Sequence, residues 1–259
     1  MFLKSVDLWE STPGMCQEVP TLDIFIPVKK ASNIAVVICP GGGYRHRASH
    51  EGAGYAEFFN SLGITAFVCQ YRVAPHRFPL PLLDARRAMR YVRYHSEEFG
   101  IHKDKIYIMG SSAGGHLAAL TSTYHKPIDF EGMDEIDNED YRPNAQMLCY
   151  PVISLLDEQF AHRYSGEMLL SERHEELGDA LSPNLIADET APKAFIWHTF
   201  DDGAVNVINT LEYAKRLKQV GVSAEVHIYP HGRHGLGLAN GNPYVHTWTQ
   251  HLLDWLNLE

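Results

Sequence analysis

Ser112 stands at the centre of Gly110-Ser111-Ser112-Ala113-Gly114, with a glycine two residues before it and another two after. The run joins an apolar stretch at 105–109 to a small-residue stretch that begins at Gly115. The first reads as a buried strand, the second as a helix start. A G-x-S-x-G at a strand-to-helix turn holds a serine hydroxyl clear of the backbone, where it can attack an acyl carbon. Ser112, not Ser111, is therefore the expected nucleophile.

A serine hydroxyl is a poor nucleophile at neutral pH. It needs a base to take its proton and an acid to orient that base. The stretch His198-Thr199-Phe200-Asp201-Asp202-Gly203-Ala204-Val205 offers two adjacent carboxylates just after an apolar run at 194–198. The stretch Tyr229-Pro230-His231-Gly232-Arg233-His234-Gly235-Leu236 offers two imidazoles after the run at 224–229. His231 sits close to the strand end, where a loop histidine is more often structural, so His234 is the expected base. No third ligand at a convincing spacing joins the two histidines, so no metal site is expected.

Attack on a carbonyl places negative charge on its oxygen, and fixed N–H donors stabilise it; losing one such donor typically costs ~3 kcal/mol of barrier. One donor is expected from Ala113, the residue after the nucleophile. Others are expected from Gly42 and Gly43 in Cys39-Pro40-Gly41-Gly42-Gly43-Tyr44, which follows the apolar run at 34–39. Glycines let a backbone approach closely and turn its amides inward. A phosphate loop is the competing reading, but neither G-x-G-x-x-G nor G-K-[ST] is present. Tyr44 either lines the pocket or packs. Arg45, with His46 and Arg47, either reaches the leaving group or is solvated. Arg72 and Asp84 read as a buried pair near the glycine loop.

These loops need a frame. Strands are expected over 21–26, 34–39, 64–69, 105–109, 145–150, 194–198 and 224–229, and helices over 55–62, 82–99, 114–124, 207–221 and 244–256. Short apolar strands alternating with helices predict an α/β fold whose mostly parallel sheet is covered on both faces. Each candidate group falls just after a strand, where ligands of such sheets sit. Two stretches break the alternation. Within residues 125–143 every charge from Asp129 onward is acidic until Arg142; the stretch lacks the pattern of a calcium loop and reads as a solvated excursion. Residues 154–192 hold a helix-like piece at 171–181 and read as a small insertion over the carboxyl edge of the sheet.

The 259 residues are 45% hydrophobic, enough for one large core. The net charge of -10 argues against nucleic acid or an anionic membrane surface as partner. Cys16, Cys39, Cys69 and Cys149 are scattered, without a zinc or redox spacing. No apolar run approaches a membrane span, and no signal peptide is read at the amino terminus. A cytoplasmic protein is the simplest expectation. A homo-oligomer is left open.

Together these residues resemble the α/β-hydrolase superfamily over nearly the whole chain. Pro40-Gly41-Gly42-Gly43-Tyr44, Ser49-His50-Glu51-Gly52, Tyr71-Arg72-Val73-Ala74-Pro75, Pro81-Leu82-Leu83-Asp84, Leu181-Ser182-Pro183 and Ala191-Pro192-Lys193-Ala194-Phe195 look like the bacterial acetyl esterase and acetyl-xylan (feruloyl/acetyl-xylan) esterase group. The resemblance implies a single α/β-hydrolase domain over 1–259 and the order serine, acid, histidine. It favours Asp202 over Asp201, from its distance to the strand-end histidine and to Val205. It also favours His234, followed by Gly235 and Leu236. Asn206 departs from the family, which often carries proline there. The implied activity is hydrolysis of short acyl esters, often acetyl groups on sugars or oligosaccharides, without a cofactor. Two alternatives compete. A small peptidase of the prolyl-oligopeptidase type shares the aspartate loop, but the chain has no room for a propeller and no blade repeat. A non-catalytic receptor on the same fold would not need Ser112, Asp202 and His234.

Overall fold

The structure is a computed structural model that describes residues 1–14 and 18–257; Cys16 lies outside the described residues. Among these, eight strands form one sheet: β1 (Phe2–Asp7), β2 (Thr21–Phe25), β3 (Ala35–Cys39), β4 (Thr65–Gln70), β5 (Ile106–Ser111), β6 (Ala145–Cys149), β7 (Ala194–Thr199) and β8 (Ala224–Tyr229). Their order is β1-β2-β4-β3-β5-β6-β7-β8. The β1–β2 and β2–β4 pairings are antiparallel, and every pairing from β4 across to β8 is parallel. The helices are α1 (Ser49–Ser61), α2 (Leu80–Tyr94), α3 (Ser112–Thr123), α4 (Arg163–Leu170), α5 (His174–Leu177), α6 (Pro183–Ile186), α7 (Ile208–Gln219), α8 (Pro243–His246) and α9 (Trp248–Asn257).

Side chains alternate between the two faces of a strand, and β3 shows what that does here. Val36 and Ile38 join Tyr55 and Phe59 of α1 and Trp248 and Leu252 of α9 on one face. Ala35, Val37 and Cys39 join Leu82 and Met89 of α2, Leu117 of α3 and Leu217 of α7 on the other. The central strands are therefore largely apolar, as burial on both faces requires. Chain direction then makes the cleft. From β3 the chain crosses through α1 to β4, and it later returns through α2 to β5, on the other side of β3. The loops that follow β3 and β5 leave toward opposite faces and open a crevice between them, the usual ligand position in such sheets.

The expected strands fall at or beside the observed ones, and β1 is an addition. Its side chains are mostly exposed at the sheet edge, so no apolar alternation marks it. α1 starts at Ser49 rather than at 55, because Gly52 and Gly54 weaken the helical signal of its first turns. The expected helix over 244–256 is broken at Thr247; Pro243 opens α8, and the Asn242 side chain caps it by accepting from Val245 N–H at 3.2 Å.

The acidic stretch 125–143 is mostly a surface excursion, as expected, but it is anchored at one buried acid. Asp137 is buried and accepts from Arg87 of α2 at 2.8 Å and from Arg90 at 3.2 Å, while Asp134 takes the other arm of Arg87. The excursion over 154–192 carries α4, α5 and α6 and reaches the cleft through His162 and Tyr164. Arg72 and Asp84 form a fully buried bidentate pair, 2.8 and 2.7 Å, to which Trp9 Nε1 adds a third bond at 3.0 Å. Cys39, Cys69 and Cys149 are buried free thiols. Among the described residues no helix is long and apolar enough to cross a membrane.

Candidate active site

Ser112 opens α3 in the left-handed region, φ 52°, a strained backbone for a residue with a side chain. The turn closes because its glycines leave room: a Cβ on Gly110 would lie 2.1 Å from the Gly114 carbonyl oxygen, and one on Gly114 would lie 2.1 Å from that of Cys39. The turn thus presses against the end of β3, beside the glycine loop. Ser112 is nearly buried but borders the cleft.

His234 arrives from the loop after β8 and Asp202 from the loop after β7. His234 Nε2 lies 2.9 Å from Ser112 Oγ, and His234 Nδ1 lies 2.7 Å from Asp202 Oδ2. The Asp202 side chain is fully buried. Its other oxygen accepts from the N–H groups of Ala204 and Val205 at 2.9 and 3.0 Å, and His198 Nε2 approaches Oδ2 at 3.2 Å. Burial alone would raise the pKa of this carboxyl. Hydrogen bonds from His198 and His234, the charge of His234 and the Val205 N–H outweigh it and hold Asp202 well below the usual carboxylate range. The neighbouring pair is different. Asp201 Oδ2 meets His231 Nδ1 at 2.9 Å, both half or more exposed, and Asp201 Oδ1 accepts from Gly232 N–H at 2.7 Å. Each aspartate therefore takes one of the two histidines of the loop after β8, and only the Asp202–His234 pair reaches Ser112.

The glycine loop carries Gly42 at φ 130° and Gly43 at φ 63°. Arg45 N–H returns to the Gly42 carbonyl at 3.0 Å and Ala48 N–H to that of Gly41 at 2.9 Å, folding the loop on itself. The N–H groups of Gly42 and Gly43 have no hydrogen-bond partner among the described residues. Ala113 lies in the first turn of α3, where N–H groups have no intrahelical acceptor. These are the donors the sequence singles out.

The cleft has a volume of about 680 Å³. Gly42, Gly43, Ser112 and His234 line it, together with Arg45, His46, His50, Glu51, His162 and Tyr164. Tyr44 is not among its lining. It is 1% exposed, and its hydroxyl meets His116 Nδ1 at 2.7 Å, so of the two readings of this residue packing is the one observed. His116 Nε2 donates to the Leu181 carbonyl at 2.8 Å, and burial pushes its pKa down to about 4. His162 belongs to the cleft but to no sequence motif. Its Nδ1 lies 2.8 Å from Ser165 Oγ; burial first, then repulsion by a charged His234, hold its pKa below the ordinary value. Glu51 also lines the cleft, and the buried Tyr150 donates to its carboxylate at 2.6 Å. Only Glu51 had a trace in the sequence, in the Ser49-His50-Glu51-Gly52 phrase, and that gave it no role.

Comparison with known proteins follows the same lines. Residues 22–217 match the BD-FAE family model. An acetylxylan esterase of Xylanibacter ruminicola is 32% identical over 90% of this chain and 47% of its own length. An endo-1,4-beta-xylanase B of Butyrivibrio fibrisolvens is 31% identical over 86% of this chain and 35% of its own. The chain thus spans about half or less of the length of these curated relatives. The crystal structure of an acetyl ester-xyloside bifunctional hydrolase from Caldicellulosiruptor lactoaceticus superposes with a TM-score of 0.91, at 42% identity, covering 98% of this chain and 95% of that one. With an α/β-hydrolase sheet and a family match over most of its length, the chain belongs to the BD-FAE family.

Proposed function

We propose that the chain is a serine carboxylesterase that removes short acyl groups, acetyl foremost, from the hydroxyls of sugars or small oligosaccharides. One observation carries this reading: a serine at a strained turn stands 2.9 Å from an imidazole whose far nitrogen is 2.7 Å from a buried carboxylate. In the reaction His234 Nε2 takes the Ser112 proton as Oγ attacks the ester carbonyl. Asp202 fixes the imidazole through Nδ1–H and stabilises the imidazolium that forms. The N–H groups of Gly42, Gly43 and Ala113 receive the oxyanion. The imidazolium returns its proton to the departing alcohol, and water then attacks the acyl-enzyme with His234 as base. These residues and water carry every proton and electron pair in both half-reactions.

The substrate class follows from the cleft and the relatives. A cavity of about 680 Å³ far exceeds an acetyl group, so most of it serves the alcohol. Its walls offer Arg45, His46, His50, His162 and Tyr164, donors and acceptors suited to a hydroxyl-rich partner rather than a long acyl chain. The names of the X. ruminicola and C. lactoaceticus proteins support acetyl esters of xylose-based sugars. The test is hydrolysis of 4-nitrophenyl esters from acetate to octanoate, then of acetylated xylo-oligosaccharides, with Ser112→Ala alongside. Acetate is expected to be fastest and Ser112→Ala inactive. Turnover of no ester, or a Ser112→Ala variant as active as its parent, would overturn the reading; faster cleavage of matching anilides would replace it with a peptidase.

A further inference from the structure

Glu51 is the unexplained group of the cleft. It lies in the first turn of α1, is 3% exposed, and has no part in the acyl-transfer steps above. Among the described residues the one basic side chain in ion-pair range is His50, at 3.8 Å and largely exposed. A buried acid without a firm cationic partner is costly, so what it binds is informative. Its two oxygens accept from two different loops. Oε2 takes the Gly41 N–H at 2.9 Å, immediately before the two glycines of the proposed oxyanion hole. Oε1 takes the Tyr150 hydroxyl at 2.6 Å. The Tyr150 oxygen in turn accepts from Gly237 N–H at 2.8 Å, three residues beyond His234. The Tyr150 and His234 rings also meet in a T-shaped contact, with centroids 5.1 Å apart. Tyr150 holds this place at φ 37°, a left-handed backbone that a bulky residue adopts only under constraint.

We propose that Glu51 is a positioning residue: through Gly41 and Tyr150 its carboxylate fixes the oxyanion loop and the His234 loop relative to each other. The inference rests on the esterase reading. Only a group with two acceptors can do this. Gly41 offers an N–H, and Tyr150 offers its hydroxyl proton, since a carboxylate has no proton to give. Glutamine brings one acceptor and one donor. It either opposes the Gly41 N–H with its own or turns the Tyr150 hydroxyl toward Tyr55, whose oxygen is 3.4 Å away. Aspartate is one methylene too short to span both loops. A misplacement of about 1 Å between reacting groups costs on the order of a hundredfold in rate, without comparable loss of binding.

The experiment measures kcat and KM for 4-nitrophenyl acetate in the parent chain, Glu51→Gln, Tyr150→Phe and the double variant, with melting temperatures beside them. Each single variant should lose about tenfold to a hundredfold in kcat, with KM little changed. The double variant should be no worse than the poorer single one, because both cut one linkage. Multiplying losses, a loss confined to KM, or single variants as fast as the parent would overturn the proposal. Should Glu51→Gln fail to fold, Tyr150→Phe, which keeps the ring volume, decides alone: an unchanged kcat overturns it. A parent chain that cleaves no ester would defeat the esterase reading itself, and the inference with it. An active parent with unaffected variants would defeat the inference alone.

Discussion

Two aspartates and two histidines share the same pair of loops, and burial sorts them. Asp202 has both oxygens occupied in a dry setting and sits behind His234; Asp201 and His231 meet at the surface. Asp202→Asn is therefore expected to lower kcat by about 10³–10⁴, because an amide can hold the imidazole in the wrong tautomer. Asp201→Asn should leave kcat close to the parent value, and the ratio of the two is the measurement. Equal losses would mean that the acid has been misassigned. The sequence carried this distinction only weakly. The serine, the glycine loop and both histidines stand in legible phrases, but the preference between adjacent aspartates came from family likeness. Which carboxylate turns inward depends on where His198 and the Ala204 and Val205 amides lie, and spacing alone does not show that. His162 and Tyr150 left no trace, since each reaches the site by tertiary packing.

At the scale of elements, apolar runs made seven strands legible, and loops were harder. The stretch 125–143 reads as a solvated run because its counter-charges lie far upstream, on α2. Arg87 is buried between Asp134 and Asp137. Asp137→Ala strips Arg87 of one of its two carboxylate partners and removes the acceptor of Arg90 Nη1, so it should destabilise the fold by about 2 kcal/mol in urea unfolding. A surface acid would change it by less than about 0.5 kcal/mol, and that outcome would restore the solvated reading. β1 escaped for the opposite reason: an edge strand with exposed side chains has no core to advertise.

For the whole molecule, His116 links the core to pH. It joins Tyr44, which ends the glycine loop, to the backbone of Leu181 in the excursion over 154–192. Its pKa is about 4 in the folded chain against 6.5 unfolded, so the unfolded chain binds the proton first. The stability that comes from keeping it neutral is full above about pH 6.5, falls as pH drops toward 4, and amounts to about 3 kcal/mol across that window. His116→Asn keeps an acceptor for Tyr44. It should be less stable than the parent at pH 7.5 yet lose less on acidification, as read from unfolding midpoints between pH 7.5 and 4.5. Parallel curves for the two would show that His116 does not set the slope. A last consequence follows from where the sheet ends. Ser112 hangs from β5, every residue of which is buried, whereas His234 hangs from β8, an edge strand that is mostly half-exposed. Strands with less burial open at lower free energy. On warming, His234 should therefore detach while Ser112 is still held. Ester turnover would then fade several degrees below the loss of far-ultraviolet circular dichroism and return on cooling, whereas coincident curves would mean that β8 melts only with the rest of the sheet.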